Sequence, residues 1–151
     1  MISLNDDEYY MRMALAEAEL AYEEGEIPIG AVIVSNGKVI ARAHNRTEAL
    51  TDVTAHAEMQ AITSAAEYLG GKYMPGCTLY VTVEPCPMCA GALGWSQIGR
   101  IVYGASDTKR GFFSYFSPAR SPIHPKTEIT KGVLEEDCRI LMQSFFQKLR
   151  R

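Results

Sequence analysis

The sequence predicts an α/β fold, a three-layer α/β/α sandwich around a central mixed sheet of five strands. Segments with helical apolar spacing alternate with short β-branched runs along the 151 residues, an order that is typical of layered α/β domains. Two of the runs are separated by Asn36-Gly37, which indicates an antiparallel hairpin. No internal repeat or low-complexity linker divides the chain, so we expect residues 1–151 to form one domain.

The first helix is expected from about Asn5 to Glu24. Asn5 or Asp6 can cap its amino end, and Gly25 is placed to end it. The apolar residues at helical spacing predict which side of this helix covers the sheet: Tyr9, Met13, Ala16 and Leu20.

The two strands of the hairpin are predicted at Ile27 to Ser35 and at Lys38 to Asn45, because apolar and β-branched residues are frequent in both runs. Gly30 lies inside the first strand. A residue without a side chain at that point indicates the close approach of a ligand or of another backbone.

The middle of the chain predicts two helices and a strand between them. The second helix is expected from about Ala55 to Leu69, where Gly70-Gly71 would stop it. A buried strand is expected from Cys77 to Val83. Glu84-Pro85 breaks that strand, and a third helix continues from Cys86 to about Ile98.

The last third predicts two short strands and a final helix. The strands are expected at Arg100 to Gly104 and at Glu128 to Thr130, and residues 110–125 contain too many Gly, Pro and Ser for regular structure. An amphipathic helix follows from Leu134 to Arg151. The residues expected on its inner side are Cys138, Leu141, Met142, Phe145 and Leu149.

Composition and charge favour a cytoplasmic protein with no membrane contact. The chain is 47% apolar, has no apolar run near the roughly 18 residues that a membrane span needs, and does not begin like a signal peptide. Cys77 and Cys138 fall in apolar patterns and are expected to be reduced core residues. The net charge of −3 argues against broad attraction to nucleic acid, so an RNA partner would need a local basic patch.

Three residues form a candidate metal site. His56, Cys86 and Cys89 provide one imidazole and two thiolates, which are donors that Zn²⁺ prefers. Structural zinc sites usually have four protein ligands, so three ligands leave a position for water and indicate a catalytic ion. Glu58 lies two residues after His56, where its carboxylate can serve as a proton shuttle.

The combination of these residues is more specific than its parts. Cys-x-x-Cys alone is compatible with a redox pair or half of a zinc ribbon. Together with His-x-Glu and the Pro before the first Cys, it resembles the signature of the zinc-dependent nucleoside and nucleobase deaminases. The alternative is structural: a capping His56, a surface Glu58 and a reduced, buried pair of cysteines.

Over about residues 8 to 148 the chain also resembles the bacterial tRNA-specific adenosine deaminases. This resemblance rests on segments spread along the chain: Pro28–Val32, Ala43–Arg46, Thr54–Glu58, Leu79–Cys86, Met88–Ala92, Ile98–Ala105 and Gly132–Leu134 with Cys138. The resemblance implies a cytidine-deaminase-like fold, a homodimer with one Zn²⁺ per subunit, and conversion of the wobble adenosine in a tRNA anticodon stem-loop to inosine.

The resemblance also implies roles for residues around the metal. Asn45 would hydrogen-bond the flipped nucleoside, the backbone amide of Ala57 would bind the base, and Ile29 would line the pocket. Glu84 would supply a main-chain carbonyl near the leaving amine.

Asp107 and Lys109 would contact the flanking nucleotides of the RNA, again by resemblance. The chain departs from the family just after them, because four aromatic residues stand between Phe112 and Phe116. These rings could stack on splayed bases, or they could pack against the last helix or a subunit interface. The residues available for a local basic patch are Lys109, Arg110, Lys131, Arg139, Lys148, Arg150 and Arg151.

Two other functions are compatible with the motif. One is a small-molecule deaminase acting on guanine or on cytosine or cytidine. The Pro-Cys-Pro-Met-Cys segment, with Trp95 six residues after its second Cys, is also similar to the guanine deaminases. The other is a zinc-stabilised binding module without catalysis, which would need a fourth protein ligand. Trp95 itself is expected in the core or at an interface, and His44 and His124 are expected to be surface or turn residues.

Overall fold

The computed structural model describes residues 4–150, whose centre is one five-stranded sheet with strand order β2-β1-β3-β4-β5. The strands are β1 Gly30–Ser35, β2 Lys38–His44, β3 Cys77–Val83, β4 Arg100–Ala105 and β5 Glu128–Lys131. β1 is antiparallel to both β2 and β3, whereas β4 is parallel to both β3 and β5. The predicted mixed sheet of five strands is therefore confirmed.

Four α-helices form the outer layers of the described chain. They are α1 Leu4–Glu23, α2 Ala57–Leu69, α3 Pro87–Ser96 and α4 Glu135–Leu149. α1 and α4 share a core with one face of the sheet, and α2 and α3 share a core with the other face. This arrangement confirms the three-layer prediction. Among the described residues, no helix is both long enough and apolar enough to cross a membrane.

Side chains of the central strands alternate between the two cores, as the two-residue period of a strand requires. Those facing α2 and α3 include Ile33, Leu79 and Ile101, and those facing α1 and α4 include Val32, Tyr80 and Val102. Burial of each aliphatic side chain contributes about 1.5–3 kcal/mol to folding. Because the sheet is covered on both sides, β3 is buried along its whole length.

The hairpin turn has the backbone that its sequence predicts. Asn36 and Gly37 have φ values of 51° and 72°, the left-handed pair that a tight two-residue hairpin requires. β1 begins later than predicted, at Gly30. A Cβ atom at Gly30 would lie 2.0 Å from the carbonyl oxygen of Ala14, so the closely approaching group is the backbone of α1.

The predicted buried side of α1 is wrong. Tyr9 and Leu20 are 60% and 43% exposed. The residues that α1 buries are instead Asp7, Met11, Ala14, Ala18 and Ala21. The close contact with Gly30 involves the backbone of Ala14 and Ala18, so the buried side of α1 at this point is the one that carries small residues.

One further burial prediction is wrong, and one of two alternatives for another residue is excluded. Leu149 was expected on the inner side of α4, but it is 64% exposed; it shares a face with the buried Phe145 and is the last residue of the helix. Trp95 is 85% exposed on α3, so it is not a core residue. The predictions for Cys77 and Cys138 are confirmed, since both are buried free thiols.

A buried ion pair ties α1 to the sheet. Asp7 Oδ1 and Oδ2 accept hydrogen bonds of 2.7 and 2.8 Å from the guanidinium of Arg100, and Oδ1 also accepts one of 2.9 Å from the hydroxyl of Tyr80. Arg100 in turn donates to Thr130 on β5. Burial raises the pKa of Asp7, but the bonds from Arg100 and Tyr80 and the charge of Arg100 outweigh it and hold the pKa below the ordinary 3.8.

We expect Asp7→Asn to lower the free energy of unfolding by about 3 kcal/mol at neutral pH, because it leaves the Arg100 charge buried without its partner. Since the folded pKa of Asp7 is depressed, the stability difference between wild type and variant is full above the ordinary pKa and disappears as the pH falls through the folded value. Urea unfolding at several pH values measures this difference. The exposed Glu8→Gln is the control, and a pH-independent difference would contradict the assignment.

Candidate active site

The candidate site lies at one edge of the sheet because three strands end there. β2, β3 and β4 run in the same direction, since β1 is antiparallel to β2 and β3 and β4 is parallel to β3. Their carboxyl ends therefore meet at one edge, the usual location of ligand sites in open α/β sheets. The chain continues from these ends into α2, into α3 and into the loop after Ala105.

The amino ends of α2 and α3 bring the three predicted metal ligands together. His56 is the residue before α2, Cys86 is the residue before α3, and Cys89 lies in the first turn of α3. His56 was expected inside the first turn of a helix starting at Ala55, but the helix begins at Ala57. The positive dipole ends of both helices make this region favourable for negative charge.

The three side chains fit a tetrahedral metal ion. His56 Nδ1 lies 3.7 Å from the sulfur of Cys86 and 3.5 Å from that of Cys89, and all ligand atoms are within 4.8 Å of one another. Ordinary zinc–sulfur and zinc–nitrogen bond lengths give about 3.6 Å along the edge of a tetrahedron. Within residues 4–150 the cluster contains these three residues, which leaves one coordination position for a non-protein ligand.

The pKa values of the two thiols are shifted in opposite directions. A hydrogen bond from Cys89, supported by one from His56, lowers the pKa of Cys86 to about 4. The bond to Cys86, together with burial, raises the pKa of Cys89. These bonds favour the thiolate form of Cys86, which is the form that binds a cation.

Glu58 is a buried acid beside the cluster. It lies in the first turn of α2 and is 3% exposed, and its Oε1 atom has no hydrogen-bond partner among the described residues. Burial raises its pKa to about 7. A buried polar atom without a partner is uncommon in folded proteins and indicates a group that acts on a ligand.

A cavity of about 640 Å³ opens next to Glu58, a size that is ordinary for small-ligand sites. Its walls contain eight of the ten residues predicted from the sequence: Ile29, Asn45, His56, Glu58, Glu84, Cys86, Asp107 and Lys109. Ala57 and Cys89 lie behind this wall and are fully buried.

Asn45 caps α2 in place of His56. Its Oδ1 atom accepts a hydrogen bond of 2.8 Å from the backbone amide of Ala57, whereas His56 makes no side-chain cap. Because the N–H donor fixes Oδ1 as the acceptor, the Nδ2 group of Asn45 is oriented to donate to a ligand. Sequence reasoning missed this contact, and it shows that the Ala57 amide already has an internal partner.

Two buried carboxyl groups hold the loops beside the cavity, and sequence reasoning missed both functions. Glu26 is 1% exposed and accepts hydrogen bonds from the backbone amides of Glu48 and Ala49. Glu84 accepts hydrogen bonds from the backbone amides of Asp107 and Phe113. The only available signal was an acidic residue beside an apolar run, as at Glu26 before Ile27.

The aromatic segment after Lys109 divides into two parts. Phe112 is buried in the core on the α2 and α3 side, and Phe116 packs against that same core, so the predicted packing against the last helix is wrong. Phe113 and Tyr115 are more than half exposed. Tyr115 donates from its hydroxyl to the backbone carbonyl of Lys109, which holds its ring beside the loop.

Three of the basic residues predicted for a local patch come together. Lys109, Arg139 and Arg150 line a second cavity of about 570 Å³, which adjoins the first at Asp107, Met142 and Phe146. Lys148 instead lies over the ring of Tyr22. Arg151 is outside the described residues.

Comparisons with known proteins agree with this geometry. Residues 4–105 match the family model of the cytidine and deoxycytidylate deaminase zinc-binding region. The tRNA-specific adenosine deaminase of Bacillus subtilis is 45% identical over 152 residues, which cover 98% of this chain and 93% of that protein.

Two solved structures are also similar to this chain. One, from a study of A-to-I editing by tRNA:A34 deaminases at the wobble position, has 43% identity and a TM-score of 0.81 and covers 88% of this chain and 98% of its own. A guanine deaminase from Bacillus subtilis has 40% identity and a TM-score of 0.64, with coverage of 67% and 65%.

We expect Cys86→Ala to abolish zinc binding, because a site with two protein ligands holds the ion far more weakly. The wild-type chain should contain about one zinc ion and the variant less than about a tenth of that, measured by elemental analysis after dialysis. Cys77→Ala removes a buried thiol outside the cluster and should leave the zinc content unchanged. Full zinc in Cys86→Ala would contradict the assignment.

Proposed function

The chain belongs to the cytidine and deoxycytidylate deaminase zinc-binding family, and from that premise we propose that it is a tRNA-specific adenosine deaminase. It hydrolyses the wobble adenosine of a tRNA anticodon to inosine and releases ammonia. The observation that carries this conclusion is the 45% identity to such an enzyme over 98% of the chain, because a likeness of this extent includes the pocket and its loops. We further propose that residues 1–151 form one domain that works in the cytoplasm with its tRNA.

We assign the zinc ligands to His56, Cys86 and Cys89, with one ion per subunit. The separations between their ligand atoms support this assignment. When bound, zinc lowers the pKa of a coordinated water and thereby supplies a nucleophile near neutral pH. The protein holds the three side chains at two helix ends, so little reorganisation is needed before the reaction.

Glu58 is assigned as the group that moves protons. Its Oε1 atom is buried at the cavity and free of other hydrogen bonds among the described residues, so it can accept a proton from the attacking water. It delivers that proton to a ring nitrogen, then takes the remaining proton of the added hydroxyl group and passes it to the departing amino group, which leaves as ammonia. One carboxyl group suffices because these transfers occur one after another within a fixed geometry.

Recognition of the base is assigned to three residues that line the cavity and to the backbone amide of Ala57 behind them. Asn45 donates a hydrogen bond from Nδ2 to the nucleoside, while its Oδ1 atom accepts one from the backbone amide of Ala57. If that amide also binds the base, its single N–H group is shared between Asn45 Oδ1 and the base. Ile29 forms the apolar wall, and the main-chain carbonyl of Glu84 faces the leaving amine. Asn45 is 3% exposed, which supports a role that depends on a fixed orientation.

Contact with the flanking nucleotides is assigned to Asp107 and Lys109. Both line the main cavity as well as the second cavity, which Arg139 and Arg150 also line. Cations beside the site offset the net charge of −3 locally, and they can attract the phosphates that the rest of the surface repels. Phe113 and Tyr115 follow Lys109 in the same loop, and their exposed rings can stack on unpaired bases.

We also propose that the chain works as a homodimer. Exposed apolar side chains stand on both sides of the metal ligands: Leu50 and Val53 before His56, and Met88 and Trp95 after Cys86. Trp95 and Val53 are each 85% exposed. Large exposed apolar side chains such as Trp95 are enriched at protein interfaces, and its exposure is compatible with the interface alternative of the sequence prediction.

A second candidate function is the deamination of guanine, which the 40% identity to a guanine deaminase structure favours. That likeness covers 67% of this chain and has the lower TM-score, 0.64 against 0.81. The tRNA reaction is therefore the better supported of the two.

We expect the purified protein to convert the wobble adenosine of an anticodon stem-loop to inosine and to leave free guanine, cytidine and adenosine unchanged. Ammonia release and nucleoside analysis of the digested RNA measure both reactions. Deamination of a free base without any of the stem-loop would favour the second candidate.

Glu58→Gln serves as the matched control for this experiment. It should retain zinc and lower kcat by about 100- to 10,000-fold, which is the usual contribution of a general acid–base group. If the wild type binds zinc and RNA without any turnover, the non-catalytic binding module would be the better interpretation.

We expect a solution mass of twice that of one chain, and a shift toward the single-chain mass in Trp95→Glu, because a buried carboxylate would oppose association. Light scattering during gel filtration measures both. Tyr9→Glu changes an exposed aromatic residue on the opposite side of the sheet and should leave the dimer intact. A wild-type protein that has the mass of one chain at micromolar concentration would contradict this proposal.

A further inference from the structure

We propose that the side chain of Glu84 is a positioning residue that fastens the loop carrying Asp107 and Lys109 to the turn that carries Cys86. The positioning role belongs to the carboxyl group of Glu84, whereas the contact with the leaving amine uses the main-chain carbonyl of the same residue. It rests on the proposed function in that the loop is taken to contact RNA. Its expected effect is on RNA affinity rather than on the chemical step.

The carboxyl group has two backbone partners in the loop. Oε1 accepts a hydrogen bond of 3.1 Å from the amide of Asp107, and Oε2 accepts one of 3.1 Å from the amide of Phe113. Glu84 is 7% exposed, and no salt bridge to it occurs within residues 4–150. A buried carboxyl group without a cationic partner depends on such hydrogen bonds, so this side chain is committed to the loop.

The backbone of Glu84 and of Pro85 makes two more hydrogen bonds to the same loop. The amide of Glu84 donates to the carbonyl of Ala105 at 2.8 Å, and the amide of Phe112 donates to the carbonyl of Pro85 at 2.9 Å. Residues 105–113 are thus held at their start, near Asp107 and at their end. All four bonds involve the two residues that precede the metal ligand Cys86.

Gly111 makes this close approach possible. A Cβ atom at this position would lie 2.1 Å from Oε2 of Glu84 and 2.5 Å from the carbonyl oxygen of Asp107. The backbone of Gly111 has φ −69°, which any residue can adopt. The requirement for glycine is therefore one of space beside the carboxyl group and not one of backbone conformation.

Asp107 in turn binds the part of the loop that carries Lys109 and Arg110. Its Oδ1 atom accepts hydrogen bonds from the amides of Lys109 and Arg110, and its carbonyl accepts one from Gly111. Lys109 and Arg110 are exposed, and the other bond to their backbone comes from the exposed hydroxyl of Tyr115 within the same loop. Without the Glu84 side chain, ordering of this loop would have to accompany RNA binding and would weaken it.

Glu84→Gln tests the inference, because its amide group would present an N–H donor to one of the two backbone donors. We expect KM for the anticodon stem-loop to rise about fivefold to twentyfold, with kcat changed less than about twofold and the zinc content unchanged. Glu128→Gln alters an exposed carboxyl group on β5 and should leave all three quantities unchanged. An unchanged KM, a lower kcat at unchanged KM, or loss of zinc would overturn the inference.

A second variant tests whether the same contact is responsible. Gly111→Ala should raise KM as Glu84→Gln does, and the double variant should be no worse than about twofold beyond the stronger single variant, since both remove one contact. Independent effects that multiply would overturn the inference.

Amide hydrogen exchange provides a readout that needs no activity. In Glu84→Gln the amides of Asp107 and Phe113 should exchange faster than in the wild type, while those of β3 keep their protection. Unchanged protection would overturn the inference even if the stem-loop is a substrate. If the wild type does not deaminate the stem-loop, the proposed function fails, and the exchange experiment still decides whether Glu84 holds the loop.

Discussion

The site depends on the common direction of three strands. β2, β3 and β4 end at the same edge of the sheet, so the two helices and the loop that follow them must start side by side. His56 and Cys86 stand immediately before those helices, and the ligand set is therefore assembled by topology. A change in the direction of any one strand would move a ligand or a loop to the opposite edge.

Hydrogen-bond partners from outside the helices leave the functional side chains available. Asn45 satisfies the first amide of α2, so the imidazole of His56 does not have to cap the helix and can face the two sulfur atoms. Glu26 and Glu84 satisfy backbone amides in the loops on either side of the cavity. Each of these polar groups is buried, which makes its geometry rigid and costly to disturb.

The loop after Ala105 is attached to the metal-binding turn on one side and exposes aromatic rings on the other. Its attachment to Glu84-Pro85 belongs to the metal-binding turn, whereas Phe113 and Tyr115 add exposed rings beside Lys109. Phe112 and Phe116 anchor the same segment in the core. The segment is thus fixed on its inner side and presents aromatic and cationic groups on its outer side, the combination that single-stranded RNA favours.

The sequence by itself determined the order of the elements, the hairpin at Asn36-Gly37, the three candidate metal ligands and the candidate proton carrier Glu58 near them, because each follows from local spacing or from a motif whose chemistry needs those residue types. Only the tertiary structure decided which side of α1 is buried, that Asn45 caps α2, and that the carboxyl group of Glu84 holds Asp107 and Phe113. These features depend on contacts between residues far apart in the chain. The close approach of α1 to Gly30, for example, favours alanine over the larger apolar residues, and no periodicity within the helix reveals that constraint.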